Sequence, residues 1–534
     1  MGTGWRWLYL NALGFSLLIS GAFIFWVIIP KKVVEEIAKQ QALVNGSEAW
    51  ERWVNTPLPL DFKVYIFNVT NPDQVTLGEK PRVEEIGPFV YKEYKYKTDV
   101  RKNPKRDTIF YRQRTRFEFD EAGTLPLSQD DVVTVLNPAL IGLVETVSRI
   151  PYLRNISMPR LDRVIPDMYG DPKSVFITLP VRALLFEGLL IKCNHSASVF
   201  MGDVLLVCSG TRSMMPMRAI TETKDHNFII SLFGYKNNSD EGVMEVHSGV
   251  TRPDLMGTLV SWNGREKTSA WPEPCNQVTG ADITLPPSRP AHHKQILIFS
   301  TDVCSAVGLE YTEDITFAGI KGFRFSPVDS FMEAVDRYPE NKCHCPGPMK
   351  KLTMPLECME KGVLDISSCL DAPIILSRPH FYKTSRVYSR TIEGLKPDPQ
   401  KHDTYMDLEQ YTGTPLRGYR RFQINMFLRK NEHVRILNKV PTALVPIVWL
   451  DEGCELTEKE IDLVNSLLYN ILRIIAAVKW LWMTVGVLLV LAGPAMFVYK
   501  RLKEQNENAQ TKDDAELSEK LRCEKSENKV QTTK

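Results

Sequence analysis

The chain has 534 residues, enough for three or four ordinary domains or for one large β-rich unit. Its 66 lysines and arginines against 64 aspartates and glutamates leave a formal charge of +2, which excludes a protein whose affinity comes from neutralising many phosphates. Charged residues at 24% and hydrophobic residues at 43% exclude a mostly disordered chain, and the slightly negative mean hydropathy excludes a polytopic membrane protein.

Residues 1–6 are a short polar lead. Trp7 to Ile29 then runs for 23 residues without a charge, and Pro30-Lys31-Lys32 closes it. A hydrocarbon core of about 30 Å needs about 20 helical residues, so 7–29 is read as a transmembrane helix. A cleaved signal peptide is the rival, but its apolar stretch is shorter, about 7–15 residues, and ends in small side chains. Residues 30–478 form one large loop, opening on a helix at Val33 to Val44. Phe62 to Thr70 is β-branched and aromatic, and Asn71-Pro72 ends it. In Thr108 to Phe119, Arg112, Arg114, Arg116 and Glu118 fall on one face and Tyr111, Phe117 and Phe119 on the other, the period of a strand.

Pro138 to Ile150 breaks that pattern, with Leu140, Leu143, Val144, Val147 and Ile150 at helical spacing behind a proline suited to a helix start. Leu161, Val164, Ile165 and Met168 continue the theme, with Pro166 read as an interruption, and Leu179 to Ile191 adds a further apolar stretch. Lys294 to Val303 and Arg421 to Arg429 return to strands. Thr457 and Glu460 form a capping-box pattern, and the stripe Ile461, Val464, Leu467, Leu468, Ile471 and Ile475 leads into a second span at 479–499. Lys500, Arg501 and Lys503 follow at once, which favours a cytoplasmic C-terminus. The 500–534 tail carries nine basic and eight acidic residues and is expected to be disordered.

Lys31 and Lys32 oppose that orientation, but other features outweigh them. Five sequons, at Asn45, Asn68, Asn155, Asn194 and Asn237, and nine of the ten cysteines lie between the spans. A cysteine- and sequon-rich loop belongs outside the cell or in an oxidising lumen, with both ends cytoplasmic. Six cysteines fall within 275–369, and six allow 15 pairings. Disulfides are favoured over zinc, since the only close pair is Cys343-His-Cys345, without the two to four intervening residues of a knuckle. Cys193 and Cys208 are candidates for a further bridge, leaving Cys454 over. No nucleophile elbow, zinc-protease motif, P-loop or dinucleotide fingerprint occurs. Adjacent His292 and His293 point apart on a strand, and His380, His402 and His433 are isolated in the sequence, so structural roles are expected for them.

Several segments, taken together, are familiar. They are Asn68-Val-Thr-Asn-Pro72, Glu85-Ile-Gly-Pro-Phe-Val-Tyr91, Arg116-Phe-Glu-Phe-Asp120, Cys343-His-Cys345, Gly362-Val-Leu-Asp-Ile366, Pro379-His-Phe381, His402-Asp-Thr-Tyr-Met-Asp407, Thr412-Gly-Thr-Pro-Leu416 and Arg420-Arg-Phe-Gln-Ile-Asn425. With two end spans and a glycosylated, cysteine-rich loop, this set resembles the CD36 family of class B scavenger receptors. Within it the chain is most similar to the insect sensory neuron membrane proteins. Pro348 to Pro355 and residues 192–210 depart from the pattern.

The resemblance implies an α+β membrane protein: a large antiparallel β-barrel-like ectodomain with an apical cap of short helices at 138–190, flanked by two transmembrane helices. It implies the bridges Cys275–Cys343, Cys304–Cys369 and Cys345–Cys358. It also implies a non-enzymatic, cofactor-free cell-surface receptor that captures hydrophobic ligands, such as fatty-acid-derived odorants or pheromones. These would pass through a tunnel to the bilayer or to an odorant receptor, in an olfactory dendrite. The alternatives are scavenging of lipoproteins or apoptotic cells, or lipid and carotenoid uptake. The ligand entrance is placed at the cap, on Leu140, Leu143, Val144 and Val147. Arg160, Arg163, Lys173, Arg182 and Arg154 are candidates to hold an anionic head, against the simpler reading of solvated surface charges.

Overall fold

The computed structural model describes residues 6–148, 151–193, 199–213, 218–285, 293–345 and 358–530, the side chains of residues 6, 151–157, 213 and 524–530 apart. Asn194, His292 and the 348–355 departure lie outside the described residues, as do the side chains of Arg154 and Asn155. The chain divides into two compact units, Met1–Glu36 with Thr457–Lys534, and Ile37–Leu456.

In the first unit, an α-helix at Arg6–Phe23 passes through a π turn at Ile24–Ile28 into a second α-helix at Ile29–Gln41. Pro30 has no N–H to give and its ring crowds the carbonyl four residues back; the wider turn just before it absorbs that mismatch. The 7–29 span and the helix expected at 33–44 are thus one continuous rod. The other rod runs through Glu458–Val464, a π turn at Asn465–Tyr469 and a helix at Asn470–Val530. The tail is therefore helical through Val530, not disordered. No glycine or proline follows Pro494, and Lys500–Glu504 and Lys503–Glu507 pair at 3.6 and 3.8 Å, so local propensity alone favours the helix.

The two rods lie antiparallel, with Trp7 5.1 Å from Phe497 and Lys479 4.8 Å from the Trp26 ring. Glycines seven residues apart on each rod let the backbones approach: Gly14 faces Gly486, Gly21 receives Trp482 and Met483, and Gly493 receives Asn11. A Cβ on Gly14 would stand 2.7 Å from Val490 Cγ2, and one on Gly486 2.9 Å from Leu18.

Among the described residues, the second unit is built on 18 strands. They are β1 (Leu60–Val69), β2 (Val83–Asn103), β3 (Thr108–Phe119), β4 (Val132–Leu136), β5 (Phe176–Pro180), β6 (Leu189–Ile191), β7 (Ile220–Glu222), β8 (Phe228–Ile230) and β9 (Ser239–His247) in the first half. The second half holds β10 (Leu259–Trp262), β11 (Gln295–Ser300), β12 (Ser305–Phe317), β13 (Ile320–Pro327), β14 (Val363–Asp365), β15 (Ile375–Ser377), β16 (Tyr405–Glu409), β17 (Pro415–Leu428) and β18 (Ala443–Glu455). The main antiparallel sheet runs β10-β9-β3-β2-β1-β18-β17-β16-β13-β12-β11, with β15 and β14 branching from β17.

The segment Gly280–Asp282 bridges the two edges. Leu259 N donates to Gly280 O at 2.8 Å on the β10 side, and Ala281 N donates to Leu297 O at 2.7 Å on the β11 side. Gly280 needs its positive φ of 100° and its missing Cβ, which would meet Leu297 O at 2.8 Å. This nearly closed sheet is the barrel. Inward positions on β1 (Phe62, Val64, Ile66) and β3 (Tyr111, Phe117) are buried, while Arg116 and Glu118 face out.

Between β3 and β9 the chain leaves the barrel to build the cap. β4 pairs with β5, the helices Pro138–Ser148 and Pro151–Tyr169 follow one another, and β6-β8-β7 form a small sheet beside the helix Met201–Ser213. The cap thus extends beyond residue 190, to Ile230. The Pro151–Tyr169 helix runs through both Pro159 and Pro166, contrary to the expected interruption. Leu161, Val164, Ile165 and Met168 are all buried along it, and that packing outweighs the missing N–H groups.

Four disulfides staple the unit: Cys193–Cys208, Cys275–Cys343, Cys304–Cys369 and Cys345–Cys358. By loop closure, the two spanning 65 and 68 residues contribute about 4 kcal/mol each. Cys454 makes no disulfide.

If the glycine seam holds the rods together, Gly14→Leu costs about 1–3 kcal/mol through overpacking. This is read as a lower Tm of the detergent-solubilised protein. Gly202→Leu, where nothing lies within 4 Å of the added Cβ, serves as the control that leaves Tm unchanged.

Candidate functional site

The Pro138–Ser148 helix is apolar on nearly every side, a pattern that only burial satisfies. Buried Asn137 caps it, accepting from the backbone N–H groups of Ala139 and Leu140 at 3.1 Å each. One side packs on the core through Leu140, Ile141 and Val144. The other side opens on a cavity of about 820 Å³, mouth included. The helix contributes Pro138, Ala139, Gly142, Leu143 and Thr146 to its wall. Met168 and the cap sheet supply Ile191, Ile220, Phe228 and Ile230, and the barrel supplies Ile374, Ile424 and Met426. At Gly142 an added Cβ would meet only Met426 Cε, at 3.9 Å, so the missing side chain is part of the void.

Among the described residues, no charged side chain lines this cavity. Its side-chain polar groups are the hydroxyls of Thr146, Thr211 and Ser231. Thr146 and Thr211 donate along their own helices, to Gly142 O at 2.7 Å and to Val207 O at 3.1 Å. A concave, apolar wall with a few hydroxyls suits a hydrocarbon chain, and each buried methylene contributes roughly 0.8 kcal/mol.

Of the residues placed at the entrance from sequence, Leu143 alone lines this cavity. Leu140 and Val144 face the core on the other side of the helix, and Val147 packs partly buried against that core. The periodicity fixed one apolar stripe, but burial on both sides of the helix leaves periodicity unable to say which side is open. The basic candidates are surface ion pairs. Arg160 and Arg163 lie 3.8 and 3.3 Å from Asp203, Lys173 2.5 Å from Asp171, and Arg182 2.5 Å from Asp130 and 2.6 Å from Glu187. Among the described residues, none is left to clamp an anionic head in the cavity. Of the sequon asparagines, Asn45 is exposed at a turn. Asn68 and Asn237 are half-buried, their carbonyl oxygens accepting from Thr134 N at 2.8 Å and Phe117 N at 3.0 Å.

A second cavity, about 760 Å³, lies inside the barrel and has the opposite character. Lys95 on β2 sits 3.1 Å from Glu93 and 2.7 Å from Glu452 on β18. Arg420 on β17 joins Glu452 to Asp302, the latter at 2.8 Å, and Asp302 also pairs with Lys236. Burial opposes ionisation of Asp302, but Lys236 and Arg420 outweigh it and hold the carboxyl well below its ordinary range. Glu93 goes the other way: its own burial and then the neighbouring Glu452 charge push its pKa up to about 7. Its Oε2 is buried without a hydrogen-bond partner.

The two cavities share no lining residue. Leu232 walls the apolar one and Phe233 the polar one, and their backbone N–H groups bond to Leu184 O and Leu185 O at 3.3 and 2.8 Å. Phe233 meets Phe62 at 5.2 Å and Phe186 at 6.2 Å, completing an aromatic partition with Phe117.

The fold also gathers two histidines that stand apart in the sequence. His380 and His402 stack with centroids 4.6 Å apart, and Glu85 takes His380 Nε2 at 2.5 Å and Trp449 Nε1 at 2.7 Å. Each histidine Nδ1 accepts a backbone N–H, from Lys396 at 3.0 Å and from Asp398 at 2.9 Å. That places the ring proton of a neutral imidazole on Nε2, so neither Nε2 offers a lone pair, and the trio does not fit a metal ion. Burial, then the His380 ring, pushes His402 down to about 4; burial likewise holds His344 near 4.

A large, nearly closed antiparallel barrel, a helical cap over an apolar cavity and two terminal apolar rods define a two-pass membrane protein with one elaborate domain. The CD36 family model matches residues 12–497, and the chain belongs to the CD36 family. It is 29% identical to sensory neuron membrane protein 2 of Anopheles gambiae, covering 92% of this chain and 93% of that one. It is 30% identical to sensory neuron membrane protein 2 of Drosophila melanogaster, covering 92% and 98%. It is 29% identical to sensory neuron membrane protein 1 of Apis mellifera, covering 93% and 92%.

Two pH effects follow. Glu93 binds its proton more tightly folded than unfolded, so its contribution is full below about pH 4.5 and is lost as pH rises through about 7. Glu93→Gln mimics the protonated form, and its Tm relative to the parent should rise by about 2 °C or more between pH 4.5 and pH 8. His402 has the opposite sign. Its folded pKa is depressed, so stability present above about 6.5 is lost as pH falls towards 4. His402→Asn, which keeps an acceptor for Asp398 N, should flatten that acid slope by about 1 kcal/mol.

Proposed function

We propose that this protein is a non-enzymatic, membrane-anchored lipid receptor. It captures a hydrophobic ligand in the cap cavity and delivers it to the bilayer or to a partner receptor. The observation that carries the reading is the cavity itself, about 820 Å³ with its open mouth included, walled by apolar side chains from the cap and the barrel and with no charged side chain among its described lining residues. Family membership supports it, and the relatives' names, sensory neuron membrane proteins, support a sensory setting. In that setting the ligand is a long-chain odorant or pheromone. Capture needs no reacting group, because the free energy comes from moving hydrocarbon out of water.

Gly142→Phe tests this directly. The new ring enters open space, so the fold should survive with an unchanged Tm, while ligand binding and transfer to liposomes fall at least about tenfold. Normal transfer by a folded Gly142→Phe protein contradicts the reading.

A further inference from the structure

The barrel chamber holds more negative charge than its ion pairs account for. The chain of pairs from Glu93 to Lys236 uses three carboxylates and three cations, so it is neutral. Asp282 and Glu241 line the same chamber. Buried Lys97 offsets Asp282. Glu241 accepts from Thr301 Oγ1 at 2.8 Å, and among the described residues no cation stands within ion-pair distance of it. A second observation lies at Glu93, which is 5% exposed. Its Oε1 meets Lys95 at 3.1 Å, while its Oε2 has no partner among the described residues. The residue opposite Glu93 on β3 is Phe117, and the residue opposite Glu452 on β1 is Phe62. Phe62 lies 4.9 Å from Phe117 and 5.2 Å from Phe233, and all three rings line the chamber. Thr115, two residues from Phe117 on the same face of β3, adds a hydroxyl.

We infer that this end of the barrel chamber binds a small amine in its ammonium form, with Glu93 Oε2 as the acceptor and Phe62, Phe117 and Phe233 as the aromatic wall. The site is separate from the cap cavity and does not rest on the lipid-receptor reading. An ammonium group brings the positive charge that the chamber lacks and the N–H donor that Oε2 lacks. Ring faces beside it attract the same charge. A calcium ion takes about six to eight oxygen ligands, whereas aromatic carbon flanks Glu93. An anionic ligand would add to the surplus of negative charge. The site is also linked to pH. Facing the Glu93 carboxyl are Lys95 on its own strand, Glu452 on β18 and Arg420 on β17, while β1 and β3 present Phe62 and Phe117. That carboxyl holds a proton below about pH 7, and a bound ammonium group takes the proton's place.

The test uses the full chain in nanodiscs, with calorimetric titration of butylamine, butan-1-ol and potassium chloride at pH 8 and pH 6. Butylamine stays protonated at both. At pH 8 it should bind at least about tenfold more tightly than the neutral alcohol or the potassium ion. Its affinity should fall about tenfold at pH 6. Glu93→Gln should weaken it at least about tenfold and remove the pH dependence. Phe117→Leu should weaken it about 3- to 10-fold. Gly142→Phe, which fills the cap cavity, should leave amine binding unchanged, so the two sites are tested apart. The pH comparison on the parent protein needs no substitution, and it decides the matter even if a variant fails to fold. Equal binding of the alcohol or of potassium, an affinity that does not change with pH, or no binding of butylamine at pH 8 overturns the inference and leaves the lipid-receptor reading untouched.

Discussion

The contact on which the cap depends is that between the Pro138–Ser148 helix and β17. A helix that is apolar all round must be buried all round, and here the barrel wall receives one side of it through Met426 and Ile424. Gly142 sits where that contact is thinnest, and the interior is left unfilled there. Close packing is the rule in protein interiors, and an unfilled space loses dispersion contacts along its lining. A hydrophobic guest restores those contacts. The same feature that weakens the empty cap thus supplies the driving force for occupancy.

The barrel interior sets a contrast. Glu93, Lys95, Glu452, Arg420, Asp302 and Lys236 form a chain of buried ion pairs across β2, β17, β18 and the neighbouring loops. Such networks hold only if each member stays paired, and the raised pKa of Glu93 marks the member with the least compensation. Hydrocarbon has no reason to prefer this chamber. Phe233, with Phe62 and Phe186, separates it from the apolar cavity, so the domain keeps an oily compartment and a charged one side by side.

Much of this was legible in the residues. The alternation in 108–119 marked β3 with its faces correctly assigned, and the uncharged runs marked both rods. The cysteine order, read through the family resemblance, matches the observed bridges. What stayed hidden has physical causes. Pro166 reads locally as a break, yet tertiary burial of Leu161 and Met168 carries the helix through it. The cavity draws on segments near 142, 191, 230, 374 and 426, and no spacing rule joins residues so far apart. The arginines of the cap looked available because their acidic partners, Asp203 and Asp130, are remote in sequence. His380 and His402 meet only because two separate loops fold onto β18.

The most direct measurement is photolabelling of the membrane-reconstituted protein with a hexadecyl probe carrying a diazirine near the chain end, followed by peptide mapping. The account predicts labels on the cavity wall, in peptides around residues 138–146, 228–232 and 424–426, which hexadecan-1-ol competes away. Labels confined to the outer surface, or to the charged chamber around residues 93–95 and 452, would contradict it.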